Sequence, residues 1–388
     1  MAVLITICSL LLIAYIFDLT AAFTKVPSVI LLLLLGFGVK ELVHFIGIPI
    51  PNLEPVLPIL GTIGLILIVL EGSLELELNK SKLKLINKSF FIAIIPLFTI
   101  PFLLAYLLNH YYGYSFRSSL VNMVPLFIIS SAIAIPSARH LSKKLREFVT
   151  YESSLSDIIG VIFFNFITLR DVIDVSTFGD FFLSILIIII ISFVATIILS
   201  YLISHIKHHI KFAPIVLLVI IIYAISKIFH LPSLVFIMFF GLFIGNIDEL
   251  KRFKFINKLK PEILDKEVST FKDLISEFTF LTRALFFLLF GFLMEANELL
   301  NIETIPLAAT IIFFVFITRL VILLIFKMDI SPLLYIAPRG LITILLFLSI
   351  PSKYHIDIIN NSLIIQVIII SAFAMMFGLM GYKKPKGV

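Results

Sequence analysis

Glu152, Ser153, Ser156, Asp157 and Gly160 lie together in one apolar stretch, TYESSLSDIIGVIFFNFIT, at residues 150–168. On a helix turning 100° per residue, Ser153, Ser156, Asp157 and Gly160 share a stripe about 100° wide, and Glu152 borders it one turn from Ser156. A carboxylate flanked by hydroxyls offers oxygen ligands, and the glycine leaves room for a second backbone to approach. Hard cations take oxygen, so the pattern suits a partly dehydrated Na⁺ or K⁺ held by Asp157 with Ser153 and Ser156. The alternative, that Asp157 merely holds a neighbouring helix, is weakened by energetics. An ionised side chain at mid-membrane costs at least ~2.5–3.5 kcal/mol on the insertion scale, and Ser or Asn would join helices with a smaller desolvation cost. The eight histidines sit in or beside connections, and apart from a loop pair none has a second ligand at i+3 or i+4. No resident metal and no cofactor is therefore expected.

Two arginines lie in equally apolar surroundings, Arg319 in FFVFITRLVILL and Arg339 in YIAPRGLITILL. A guanidinium stays charged, so each must be paired, wetted or turned toward backbone carbonyls. Glu152 is the natural partner for one of them. A Glu152–Arg319 pair would leave Asp157 as the carboxylate free to exchange a proton for a cation. Other acids, among them Asp18, Asp273 and Glu277, fall near span ends within reach of water. Glu71, in LILIVLEGSLEL, sits deeper, either as a satisfied cap or as a vestibule residue.

These side chains need a scaffold, and the composition says which. Of 388 residues, 61% are hydrophobic and 14% charged, with mean hydropathy +1.17. Soluble domains carry about 25% charged residues. A water-facing surface cannot be made from this chain, and a single cysteine, Cys8, excludes a disulfide scaffold. The unbroken apolar runs, many of twenty residues or more, exclude a porin-type barrel. The fold class is an all-α polytopic membrane protein. Thirteen spans follow from the run lengths, at about 3–22, 26–44, 57–74, 88–109, 117–138, 150–169, 181–206, 212–229, 231–247, 270–295, 304–326, 330–350 and 360–382.

Of the 30 Lys and Arg residues, 22 fall in alternate connections on one side, five on the other, and Arg283, Arg319 and Arg339 inside spans. Cytoplasmic loops hold the basic excess, so the N-terminus is expected outside and the C-terminus in the cytoplasm. The net charge of +6 then marks a membrane side, with no nucleic-acid partner. The longest connection, about 248–269, reads as a basic surface helix or loop. The acidic stretches 170–180 and 295–304 read as external connections.

The fifth and twelfth spans carry proline with small polar residues, SSAIAIPS (130–137) and APRGL (337–341). Proline removes a backbone donor, and irregular backbone in a membrane is tolerated where it lines a cavity. Ser130 and Ser131 would add oxygens there. Interrupted helices at corresponding positions of two repeats point to a transporter's site. Spans 3–5 and 10–12 form such triplets with opposite topology, giving an inverted-repeat core with two interrupted crossing helices.

With these residues in place, the chain resembles a known family. ESSLSD (152–157) is similar to the ESLLND signature of the sodium/proton exchangers (NhaP-like) in the monovalent cation:proton antiporter superfamily. PRG (338–340) resembles an arginine-glycine motif in their late core helix, and IFDLTAAFTKVPSVILLLLLG (16–36) extends the likeness. The resemblance implies that Asp157 binds cation and proton in turn, that Ser156 stands for an Asn or Asp, that Ser153 is a hydroxyl ligand, and that Glu152 pairs with Arg319. It implies exchange of Na⁺ or K⁺ for H⁺ in a homodimer in the bacterial inner membrane, and Ser156, which brings no second acid, favours electroneutral over electrogenic exchange. Residues about 57–169 and 270–350 would form the transport part and the other helices the scaffold and dimer part. The chain departs where the family has Thr-Asp-Pro, since SSAIAIP carries no acid. That departure admits weaker binding, a preference for K⁺, or a channel or transport-inactive sensor on the same fold. Nothing suggests an enzyme: no nucleophile elbow, phosphate loop or metal set is present.

Overall fold

The computed structural model describes residues 2–24, 26–47, 52–77, 80–169, 175–206, 212–229, 231–247 and 261–382. The described residues with regular structure are helical. In chain order the helices are α1 (Ala2–Thr24), α2 (Ser28–Ile46), α3 (Val56–Glu75), α4 (Leu83–Tyr112), α5 (Phe116–Met123), α6 (Ser131–Ser137), α7 (Lys143–Leu169), α8 (Val175–His205), α9 (Phe212–Ile228), α10 (Ser233–Gly245), α11 (Pro261–Leu293), α12 (Ile305–Ile325), α13 (Leu341–Leu348) and α14 (Asn361–Gly381). A further helical turn lies at Ala296–Leu299, with 3₁₀ turns at Lys80–Lys82 and Ser352–Tyr354. Among the described residues, eight helical segments are long and apolar enough to cross a membrane, counting 116–137 as one of them.

Eleven of the thirteen expected spans correspond to continuous helices. The other two are broken where proline and small polar residues interrupt the apolar run. Within 117–138, Pro125 opens a 3₁₀ turn at Val124–Phe127, the chain extends at Ile128 (φ −80°, ψ 127°), and α6 begins after Ser130. Within 330–350 the chain runs through turns and extended backbone to Gly340, and only the eight residues of α13 are helical.

Two boundaries differ from expectation. Residues 261–269, read as part of a connection, are the first turns of α11, because helix propensity and tertiary packing carry a helix past its apolar stretch. Residues 175–180, read as an external connection, open α8. The rest of those connections, 248–260 and 170–174, lies outside the described residues, as does the C-terminal basic tail.

The chain forms two compact units, residues 1–64, 88–157 and 281–388 in one and 65–87 with 158–280 in the other. In the first unit, α2 and the second half of α11 touch backbone to backbone. A Cβ placed on Gly36 would lie 2.1 Å from the Leu288 carbonyl oxygen, and one on Gly291 would lie 2.3 Å from that of Leu33. Lipid gives helices no hydrophobic reason to associate, so close approach through small residues supplies the dispersion contact instead. Asn122 Nδ2 donates to the Tyr354 carbonyl at 2.7 Å, fixing α5 to the segment after α13. In the second unit, Phe240 packs edge-on against Phe271, and Asn246 Nδ2 reaches the Leu76 carbonyl at 2.7 Å. One face of α8 leaves Phe182, Leu186, Ile190 and Val194 uncovered, as lipid-facing residues are.

Candidate functional site

The site is built in the first unit, where the two broken helices meet α7. The backbone N–H of Ser130 donates to the Pro338 carbonyl at 2.9 Å, so the interrupted segments before α6 and α13 cross in direct contact. Gly340 makes that approach possible. A Cβ there would lie 2.7 Å from Ile133 Cδ1 and 2.8 Å from Ser130 Oγ, so a larger residue would have to displace these side chains.

Broken helices leave carbonyls without intrahelical donors, and Arg339 answers two of them. Its Nε donates to the Leu126 carbonyl at 2.8 Å, on the first interrupted segment, and its Nη1 to the Ala337 carbonyl at 2.6 Å, on the second. Its own backbone N–H goes to Ser371 Oγ of α14 at 3.0 Å. Of the alternatives open to a buried arginine, Arg339 is turned toward backbone carbonyls.

Arg319, on α12, takes the other course. Its Nη1 and Nη2 grip Glu152 Oε1 and Oε2 at 2.5 and 2.9 Å, and Nε donates to the Leu333 carbonyl at 2.6 Å. Both side chains are almost wholly buried. The two-pronged geometry satisfies both carboxylate oxygens, which is the strong form of such a pair.

Asp157 stands five residues further along α7, 1% exposed. Its Oδ2 accepts from the Ser131 backbone N–H at 3.1 Å and from Ser131 Oγ. Its Oδ1 is buried with no hydrogen-bond partner among the described residues, and the same holds for Ser130 Oγ. Ser156 faces the crossing as well, with its Oγ accepting from the Ile129 N–H at 2.9 Å. Ser153 Oγ donates to the Val149 carbonyl of its own helix at 2.7 Å. The structure thus brings Asp157, Ser130, Ser131 and Ser156 together at the break before α6, while the Ser153 proton points back along α7.

Four further residues belong in this account. Thr343, in the first turn of α13, has a buried Oγ1 without a partner among the described residues. Its signal in the sequence was its place just after the PRG break. Arg283, left inside a span without a role, is buried and donates through Nη1 to the Ala132 carbonyl of α6 at 3.2 Å. Asp18, expected to reach water at a span end, lies 3.6 Å from Arg283 Nη2 and 3.3 Å from Arg139 Nη1. Glu71, in the second unit, accepts from Ser276 Oγ at 2.8 Å. Among the described residues no three His, Cys, Asp or Glu side chains cluster as a metal site.

The family model for the transmembrane sodium/hydrogen exchanger matches residues 8–381. The chain belongs to the sodium/hydrogen exchanger family. It is accordingly an integral membrane transporter of the cation/proton antiport class rather than an enzyme, and its substrates are ions that require no cofactor. Two solved structures of the sodium proton antiporter MjNhaP1 from Methanocaldococcus jannaschii share the fold. One, at pH 8, has a TM-score of 0.69 and 20% identity over 97% of this chain and 98% of that one. The other, from electron microscopy, has a TM-score of 0.72 and 18% identity over 100% and 99%. No curated protein sequence matches the chain. This exchanger fold frames the crossing described above, and the site within it is the chain's own.

Proposed function

We propose that the chain exchanges a monovalent cation, Na⁺ or K⁺, for H⁺ by alternating access at Asp157. The observation that carries the reading is the buried Asp157 Oδ1, which has no hydrogen-bond partner among the described residues, on a carboxylate held by Ser131, next in the chain to Ser130, whose buried Oγ also has none among them. An ionised carboxylate buried with only neutral donors is costly by several kcal/mol. A proton or a cation on Oδ1 relieves that cost, and both compete for the same oxygen. Cation arrival at Oδ1 therefore requires proton departure, and the reverse.

Ser130 Oγ and Ser156 Oγ complete the oxygen set, and Ser131 orients the carboxylate by holding Oδ2. Glu152 is spent on Arg319 and contributes no exchangeable charge. Arg339 neutralises the carbonyl ends of the broken segments, whose partial charges are negative. With Ser131 and Ser156 where the exchangers carry further polar or acidic residues, a single carboxylate carries either one proton or one monovalent cation. That makes the cycle electroneutral. Weaker electrostatic pull also favours K⁺ over the more tightly hydrated Na⁺. The transport part comprises about residues 57–169 and 270–350, in a homodimer in the cell membrane with the N-terminus outside and the C-terminus in the cytoplasm.

The test is proton flux into proteoliposomes driven by outward gradients of Na⁺, Li⁺, K⁺ or Rb⁺, with the voltage clamped. Flux that follows one cation gradient and is insensitive to voltage is expected. A chain that conducts cations without moving protons, or moves nothing, is instead a channel or a transport-inactive sensor on the same fold.

A further inference from the structure

α6 has seven residues and hence few backbone hydrogen bonds. Its i→i−4 bonds include Ala134 N–H to the Ser130 carbonyl at 2.9 Å and Ala138 N–H to the Ala134 carbonyl at 3.1 Å. The bond that should close on Ala132 would come from residue 136, which is proline and has no N–H. Ala132 is the residue after Ser131, whose N–H and Oγ hold Asp157. A buried carbonyl left without a donor at that point would be free to tilt out of the helix and carry the first turn with it.

Arg283 fills the gap from α11. Its Nη1 donates to the Ala132 carbonyl at 3.2 Å, and its guanidinium is held by Asp18 on α1, with Nη2 and Oδ1 3.6 Å apart. Asp18 is itself placed by Ser28 Oγ, which donates to Oδ1 at 3.4 Å, and by Arg139 at Oδ2. Burying a guanidinium needs a counter-charge and good acceptors, and here the acceptor is the one carbonyl that Pro136 orphans.

We infer that Arg283 is a positioning residue for the Asp157 site: it supplies to the Ala132 carbonyl the hydrogen bond that Pro136 cannot, and so fixes the turn of α6 that presents Ser131 to Asp157. The inference rests on the reading of Asp157 as the exchange site. A second consequence is that the site's backbone is tied, through Asp18, to Arg139, whose side chain is largely exposed.

The decisive experiment is a double-mutant cycle on the intact chain in proteoliposomes, with Na⁺ and K⁺ as probes. Losing one buried hydrogen bond in R283M should raise the half-saturating cation concentration about tenfold. P136A alone should change it less than about twofold, because the new N–H only duplicates a satisfied bond. The double variant R283M/P136A should recover most of the loss, since the backbone N–H restored at position 136 can donate to the Ala132 carbonyl from within the helix. A double variant no better than R283M, or an R283M with unchanged half-saturation, overturns the inference. If R283M does not accumulate as folded protein, R283L, which likewise has no donor, with and without P136A carries the same comparison. If the unmodified chain drives no flux, the exchange reading fails, and thermal unfolding of the same proteins in detergent decides the Arg283–Ala132 bond separately: rescue by P136A supports it and absence of rescue refutes it.

Discussion

Glu152 and Asp157 are two carboxylates five residues apart on one helix, both 1% exposed, and they are treated oppositely. Glu152 has both oxygens on a guanidinium. Asp157 has one oxygen on the neutral donors of Ser131 and one with no partner among the described residues. Burial alone therefore does not mark a working carboxylate. What differs is the reserve: Glu152's charge is fully answered within the protein, whereas Asp157's Oδ1 is answered by no described residue, and that is the oxygen the proposed exchange would use.

The largest effect should come from removing that reserve. D157N is expected to take cation-driven proton flux to background while leaving thermal stability equal or higher, because an uncompensated buried charge is relieved. Full activity in D157N would erase the distinction between the two residues. The reverse profile is expected at Glu152. E152A should destabilise the protein by about 3–5 kcal/mol by stranding Arg319, and the apolar double E152L/R319M should regain much of that in a detergent melting series. If E152A melts like the unmodified chain, the pair is not what holds α7 to α12. The smallest change is S153A. Its hydroxyl already has an acceptor on its own helix, so the loss should stay near about 0.5–1.5 kcal/mol in stability, with little movement in half-saturating cation. A large rise in half-saturation would return Ser153 to the ligand set.

Much of this organisation was legible before any coordinates. Apolar run length gave the spans because a helix in lipid must satisfy its own backbone and reach across a fixed thickness. The stripe on α7 was visible because helical periodicity alone puts Ser156 and Asp157 on one face. Pro136 and PRG marked the breaks for an equally local reason. What periodicity cannot say is which distant group meets a freed carbonyl. The Arg283 bond to Ala132, the Arg339 bonds to Leu126 and Ala337, and the Ser130 to Pro338 contact all join positions 2 to more than 200 residues apart, and the long-range ones depend on tertiary packing. The surface helix or loop read at 248–269 left open that residues 261–269 run on into α11 as one helix, since those first turns are polar and hydropathy ends a span where its apolar run ends.

The Arg339 side chain has one further consequence. Because a single guanidinium bonds the 3₁₀ turn before α6 and the segment before α13 at once, and Ser130 bonds to Pro338, sliding one past the other would break the hydrogen bonds that join them. The crossing is therefore expected to move as one joint, and a pair of spin labels on its two arms tests this by reading one separation with and without a cation gradient.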